Sequence, residues 1–245
     1  MTAALLEVSD VSVRFGGVWA LRNLSVRLDG GGIVGLIGAN GAGKTTLINV
    51  VTGAVRPAQG RVLLDGHDLT AMTAHRAARL GLARTFQNIQ LFGSLSVLDN
   101  VLMPYRIRHR STLRQGRARA LALLEQVGLA DRADGRPYEL AYGQQRRLEL
   151  ARALAMAPRL ILLDEPLAGM AGRESEEMLT LFGRLREQRV TLLLVEHDVA
   201  SVLRISDRVL VLDHGRLLAD APAAEVVANP AVRTAYLGDA MGADD

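Results

Sequence analysis

The chain has 245 residues, 49% hydrophobic and 22% charged, which allows one or two domains with a real core and excludes the disordered class. It has no cysteine, so disulfides and thiolate metal sites are excluded, and its formal net charge of +3 is too small to argue for nucleic acid by itself. No apolar run approaches the roughly 18 residues of a membrane helix, and Met1–Glu7 lacks the basic start and apolar core of a signal peptide. We therefore expect a cytosolic protein that partners must hold if it works at a membrane.

Residues 5–37 read as strands. Leu6–Phe15 and Leu24–Leu28 alternate apolar and polar residues, and Asp29-Gly30-Gly31-Gly32 is a turn. Ile33–Ile37 is an apolar run of buried-strand type, and Thr46–Val51 can begin a helix. Gly60–Gly66 reads as a strand ending in an Asp-Gly turn. Residues 73–80 look helical, and Leu82–Gln87 reads as a strand that delivers Gln87 to a loop. Residues 88–157 change texture: Leu, Ala, Arg and Gln recur at helical spacing with few strand signals, which predicts a helical insertion. Arg106, Arg108, Arg110, Arg114, Arg117 and Arg119 cluster there. They read as a solvated helix face, or as a contact with an anionic lipid surface or a partner.

Strand–helix alternation returns at residue 159. Leu160–Glu165 is an apolar strand ending in two acids, residues 173–188 form an amphipathic helix, and Thr191–His197 is the next strand. Residues 209–217 read as strand, turn and strand, and 222–237 as a short helical tail. The pattern predicts an α/β fold: a mainly parallel core sheet covered on both faces, preceded by an antiparallel β-layer and interrupted by a helical subdomain.

The chemistry concentrates at Gly38-Ala39-Asn40-Gly41-Ala42-Gly43-Lys44-Thr45-Thr46, which fits G-x-x-x-x-G-K-[ST] between a strand and a helix. Glycines let the backbone curl so that successive N–H groups point at one anion. Lys44 offers a charge to the β- and γ-phosphates, and Thr45 a hydroxyl to Mg²⁺. In such a sheet ligands sit at the carboxyl ends of the strands, which brings Asp164 and Glu165 towards the loop. Asp164 suits Mg²⁺, directly or through water. Glu165 suits a general base for the water that attacks the γ-phosphate. His197 ends the next strand and points at the same pocket.

The order of these motifs resembles an ABC-transporter ATPase subunit over nearly the whole chain. Those motifs are the phosphate loop, Gln87, Leu140-Ala141-Tyr142-Gly143-Gln144-Gln145, Leu160–Glu165 and His197. The resemblance implies an ATP-hydrolysing cassette that uses ATP and Mg²⁺. Residues 1–87 with 158–245 form its ATP-binding core and 88–157 its helical signature subdomain. By matching position, Gln87 resembles the glutamine that senses Mg²⁺ and the attacking water and links the site to the membrane subunits. Leu140, Ala141, Tyr142, Gly143 and Gln144 resemble the signature that donates to the γ-phosphate of the opposite subunit. Glu165 resembles the catalytic glutamate and His197 the switch histidine. Phe15 is either the aromatic that stacks on adenine or a core side chain.

The wording at 83–88, 91–92, 140–149 and 235–238 is closer still to the branched-chain amino-acid uptake ATPases. The expected partners are then a second ABC ATPase subunit, two membrane permeases and, indirectly, a secreted substrate-binding protein. No nucleic acid is expected. A heterodimer is expected over a homodimer, and the place is the cytoplasmic face of the cell membrane. Two departures stand out. Ala141 and Tyr142 replace the usual serine and first glycine of Leu-Ser-Gly-Gly-Gln, and Ala171 stands where an Asp or Asn usually reaches the other subunit. Two other readings are a lipopolysaccharide-export ATPase, which shares the 235–238 wording, and a soluble ABC protein acting on ribosomes or DNA. The last usually carries two ATPase halves or coiled-coil arms, and this chain has neither.

Overall fold

Ile33–Gly38, Leu160–Asp164 and Thr191–Val195 are buried along their whole length. Strands with no polar face need cover on both sides, and that requirement sets the architecture. The computed structural model describes residues 4–233. The chain opens with β1 (Leu6–Phe15) and β2 (Val18–Leu28), an antiparallel pair running from Leu6 opposite Leu28 to Phe15 opposite Val18. β3 (Ile33–Gly38) leaves that layer and leads through the phosphate loop into α1 (Lys44–Val51). β4 (Gln59–Leu64) returns to pair with β1, and the short β5 (His67–Asp68) completes a four-stranded sheet in the order β2-β1-β4-β5.

After α2 (Ala74–Arg79) and β6 (Leu82–Arg84) the chain turns helical, with α3 (Val97–His109), α4 (Leu113–Gln126) and α5 (Tyr142–Ala155). The alternation then resumes through β7 (Leu160–Asp164), α6 (Gly172–Glu187), β8 (Thr191–Val195), α7 (Val199–Ile205) and β9 (Arg208–Asp213). β10 (Arg216–Pro222) and the short helices α8 (Ala223–Val226) and α9 (Pro230–Val232) close the described chain. The second sheet has the order β10-β9-β3-β8-β7-β6 and is parallel except where β10 meets β9.

The period of two in a strand divides this sheet between two cores. Leu162, Leu193, Val195, Leu210 and Leu212 face the antiparallel layer and α1. Ile161, Leu163, Leu192, Leu194, Val209 and Val211 face the helices, from Val97 of α3 to Phe182 of α6.

Two strands stop earlier than their apolar patterns suggest. β6 ends at Arg84 instead of running to Gln87, because side chains of α5 take the backbone polar groups that a longer strand would pair. Glu149 accepts from the Phe86 N–H at 3.2 Å, and Arg146 donates to the Phe86 carbonyl at 2.6 Å. β8 ends at Val195 because Glu196 turns to accept from the Leu167 N–H at 2.6 Å. Among the described residues the predicted tail is helical over α8 and α9; its part from 234 on, with 235–238, lies outside the described residues.

Gly35 in β3 is where α7 comes closest to the sheet. A Cβ there would lie 2.3 Å from Val202 Cγ1 and 2.9 Å from Ser206 Oγ. Gly35→Ala is expected to cost about 1–3 kcal/mol by overpacking. The melting temperature should fall by roughly 2–4 °C for each kcal/mol in a domain of this size. An unchanged melting temperature would mean that α7 shifts freely.

Candidate nucleotide site

The parallel register lines up the strand ends. Asp164 pairs with Val195, and Val195 with Leu36, so the residues that follow each strand emerge along one edge of the sheet. Gly43, the residue before α1, has φ +105°, a left-handed conformation that side chains rarely adopt, and a Cβ there would meet the Ala20 carbonyl at 2.6 Å. The first N–H groups of α1 are left free for an anion. Asn40, Gly41, Ala42, Gly43, Lys44, Thr45 and Thr46 line one pocket with Ala20, Glu165 and His197.

Lys44 is only 6% exposed. Its ammonium donates to the Gly38 carbonyl at 2.6 Å and the Ala39 carbonyl at 3.0 Å. Burial lowers its pKa, against the opposing pull of Glu165 and Asp164. The lysine is therefore held inside the loop by weak dipoles, in surroundings that favour a full negative partner.

Glu165 adopts φ +49°, uncommon for a side-chain-bearing residue. Its N–H donates to the Val195 carbonyl at 2.9 Å. Its carboxylate accepts from Gln87 Nε2 at 2.8 Å and lies 2.7 Å from His197 Nε2. Three residues far apart in sequence thus meet on one carboxylate, which faces the pocket of the phosphate loop. Asp164 is buried and paired with Arg84 at 2.8 Å, while Arg84 also donates to Asn49 Oδ1 at 2.7 Å.

Magnesium fits this donor set. The cation keeps several waters and takes one or two protein oxygens along with phosphate oxygens. The described residues contain no group of three or more His, Cys, Asp or Glu that would cage an ion on its own. The Asp164 oxygen not held by Arg84 and the Thr45 hydroxyl are the residues suited to it.

Phe15 is 53% exposed at the end of β1, which removes the core alternative and leaves its ring free. Leu140–Gln144 do not line the phosphate-loop pocket. They form the start of α5: Ala141 is its N-cap, without a capping side chain, and Gln144 Oε1 accepts from the Ala141 N–H at 3.0 Å. Ala171 caps α6 in the same bare way, with Glu174 Oε2 accepting from its N–H at 3.3 Å. Arg106, Arg110, Arg114 and Arg119 form no ion pair among the described residues, Arg117 reaches Asp134 at 3.6 Å, and Arg108 donates to the Met156 carbonyl at 3.2 Å.

Three residues of the site escaped the sequence reading. Arg84 neutralises Asp164. Arg146 donates to the Phe86 and Gln87 carbonyls and so holds the 86–87 loop. Glu196, buried and with its pKa raised by that burial, accepts from Leu167 and His197 N–H groups and so holds the loop after Glu165 against the end of β8. Glu196 carried a signal, since an acid directly after an apolar strand is anomalous. Arg84 and Arg146 did not, because nothing local tells a buried arginine from a surface one.

Fold and pocket together define a phosphate-loop nucleoside triphosphatase. The family model described as "ABC transporter" matches residues 21–168, and that described as "Branched-chain amino acid ATP-binding cassette transporter" matches 216–241. The chain belongs to the ATP-binding proteins of ABC transporters: it binds and hydrolyses ATP to drive transport, and cassettes of this kind form dimers and work with membrane permeases. It is 39% identical to the high-affinity branched-chain amino acid transport ATP-binding protein BraF of Pseudomonas aeruginosa, over 98% of this chain and all of that one. It is equally close, with the same coverage, to the corresponding protein LivG of Escherichia coli K12. Among solved structures, the ADP conformation of the cassette MJ1267 superposes with a TM-score of 0.86 at 29% identity, over 97% of this chain and 100% of that one.

Removing Arg84 leaves Asp164 buried without its ion-pair partner, with Lys44 the remaining nearby cation. Breaking one side of a buried pair costs roughly 3–5 kcal/mol, and a value near the lower end is expected for Arg84→Ala, since its side chain is 14% exposed. Urea denaturation should show it as a shifted midpoint with an unchanged slope. A loss under about 1 kcal/mol would mark the pair as solvated.

Proposed function

We propose that this chain is one motor subunit of an importer for branched-chain or other hydrophobic amino acids, attached through permeases to the cytoplasmic face of the membrane. The observation that supports it most is the full-length similarity to BraF and LivG, joined to the assembly of Gln87, Glu165 and His197 at the phosphate loop. Among the described residues no helix is long and apolar enough to cross a membrane.

In this reading the loop and Lys44 bind the phosphates, and Phe15 stacks on adenine. Thr45 and Asp164 would hold Mg²⁺, which would supply charge neutralisation to the phosphates. Glu165 accepts the proton of the attacking water as the new P–O bond forms and the bond to the ADP oxygen breaks. Gln87 and His197 aim that carboxylate. Residues 88–157 act as the subdomain that presents Leu140–Gln144 to the nucleotide of the opposite subunit. An apolar depression lined by Phe86, Pro104 and Met156 lies between this subdomain and the core, directly beside the Gln87 loop. We assign it to a cytoplasmic segment of a permease, since its lining residue Phe86 is the neighbour of Gln87.

Lys44→Ala is expected to abolish ATP binding, which equilibrium titration with a fluorescent nucleotide reads directly. Glu165→Gln should bind as the wild type does and lose turnover, since an amide cannot take the water's proton. With MgATP and its partner it should accumulate as a closed dimer. Near wild-type hydrolysis in Glu165→Gln removes Glu165 from the role of base.

The two alanines also predict asymmetry. Ala141 offers the opposite phosphate one hydroxyl fewer than serine, and a donor aimed at transition-state charge can be worth roughly a hundredfold in rate. A heterodimer whose partner carries a more regular signature is expected, with the stronger site formed by Lys44 and Glu165 of this chain and the partner's signature. Glu165→Gln should then cut the complex's ATPase rate more than the matching change in the partner. Ala141→Ser should raise activity or leave it unchanged. Equal losses from the two glutamate changes, or full activity as a homodimer, rule the asymmetric arrangement out.

A further inference from the structure

Tyr142 stands where the usual signature has its first glycine. Its side chain joins three segments. Arg146, one turn further along α5, donates from Nη2 to the Tyr142 hydroxyl at 2.8 Å, with its guanidinium 5.3 Å from the ring centroid. The same Nη2 donates to the Gln87 carbonyl at 2.5 Å, and Nη1 to the Phe86 carbonyl at 2.6 Å. Arg146 is 3% exposed while Tyr142 is 41% exposed, so these are charge-assisted, partly buried bonds anchored on a buried guanidinium. The Tyr142 ring also covers Gly169, four residues beyond Glu165, so closely that a Cβ at Gly169 would touch ring carbon Cε1 at 3.4 Å. Glycine at 142 would make neither contact.

We propose that Tyr142 is a positioning residue. It latches the start of the signature helix to the Gln87 loop and to the loop after Glu165 in the same subunit. Engagement of the signature by the opposite subunit's nucleotide is thereby transmitted to this subunit's own carboxylate. The inference rests on the proposed function, in which the signature faces that nucleotide. The route is short. A shift of Tyr142 moves Arg146, Arg146 carries the Gln87 peptide, and the Gln87 side chain holds Glu165 at 2.8 Å. The unusual signature then does two things at once: it omits the serine donor at 141 and adds a physical link at 142.

The test is a double-mutant cycle in the assembled transporter, backed by hydrogen exchange on the full-length chain. Hydrogen bonds to charged groups imply at least about a tenfold effect when lost. Tyr142→Phe should therefore lower kcat by about tenfold while the KM for ATP stays within about twofold. In a Gln87→Ala background the same change should have almost no further effect, because the link has lost its end. Amides of 86–92 should exchange faster in Tyr142→Phe at an unchanged melting temperature. Wild-type kcat in Tyr142→Phe, or the same fold loss in both backgrounds, overturns the latch. Should Gln87→Ala turn over too slowly to measure, exchange decides, and unchanged exchange at 86–92 overturns it. Turnover surviving in Glu165→Gln instead overturns the site assignment, a failure read without touching Tyr142.

Discussion

The parallel pairing of apolar strands is the constraint on which the rest depends. β3, β7 and β8 cannot face water on either side, so polar residues are confined to their ends. Their shared direction makes them finish at one edge. Gly38, Asp164 and Glu196 are the first residues free of that apolar requirement or the last bound by it. The site is therefore a consequence of strand direction: the same hydrophobic drive that buries Leu162 and Leu193 between two cores delivers two acids and a phosphate loop to one place.

Within that edge the charges are arranged unevenly. Asp164 is neutralised by Arg84 and is structural as much as it is ligand. Glu165 is held by an amide and an imidazole, with its carboxylate at the pocket. Lys44 is held only by carbonyl dipoles. An arriving triphosphate replaces those dipoles with full charges, and burial makes that replacement more favourable than it would be in water. The site thus holds its cation by carbonyl dipoles and its base by an amide and an imidazole.

The sequence made much of this legible. The alternation of Leu6–Phe15, the unbroken apolar runs and the helical texture of 88–157 each carry their own periodicity, and the glycine spacing of 38–46 has a mechanical cause. What the pattern hid is the work of long-range side chains. Gln87 looked like the end of a strand because Thr85-Phe86 is a good strand pair. In the structure Arg146 and Glu149, some sixty residues on, take the backbone bonds of Phe86 instead. Arg84 read as one more arginine in a chain with 29 lysines and arginines, so its pairing with Asp164 left no local trace. Phe15 stood open between two roles until exposure decided against the core.

Ala141 and Ala171 bear on one another. Both are N-caps of long helices, and in both the third helical residue, Gln144 or Glu174, reaches back to the alanine N–H. Half of a capping box is present twice, and the half missing is the cap's own oxygen. An alanine cap costs a helix about 0.5–2 kcal/mol relative to Ser, Thr, Asp or Asn. Elsewhere the chain uses those caps: Ser96, Thr112 and Asp198 all accept from their helices. Both bare starts belong to segments that the proposed function turns towards the opposite subunit. A free helix N-terminus is itself a donor set and favours a negative charge. In the proposed dimer that charge is the opposite subunit's phosphate, and the first turn of α5 that would meet it is held in register by Gln144 on one side and by Tyr142 through Arg146 on the other.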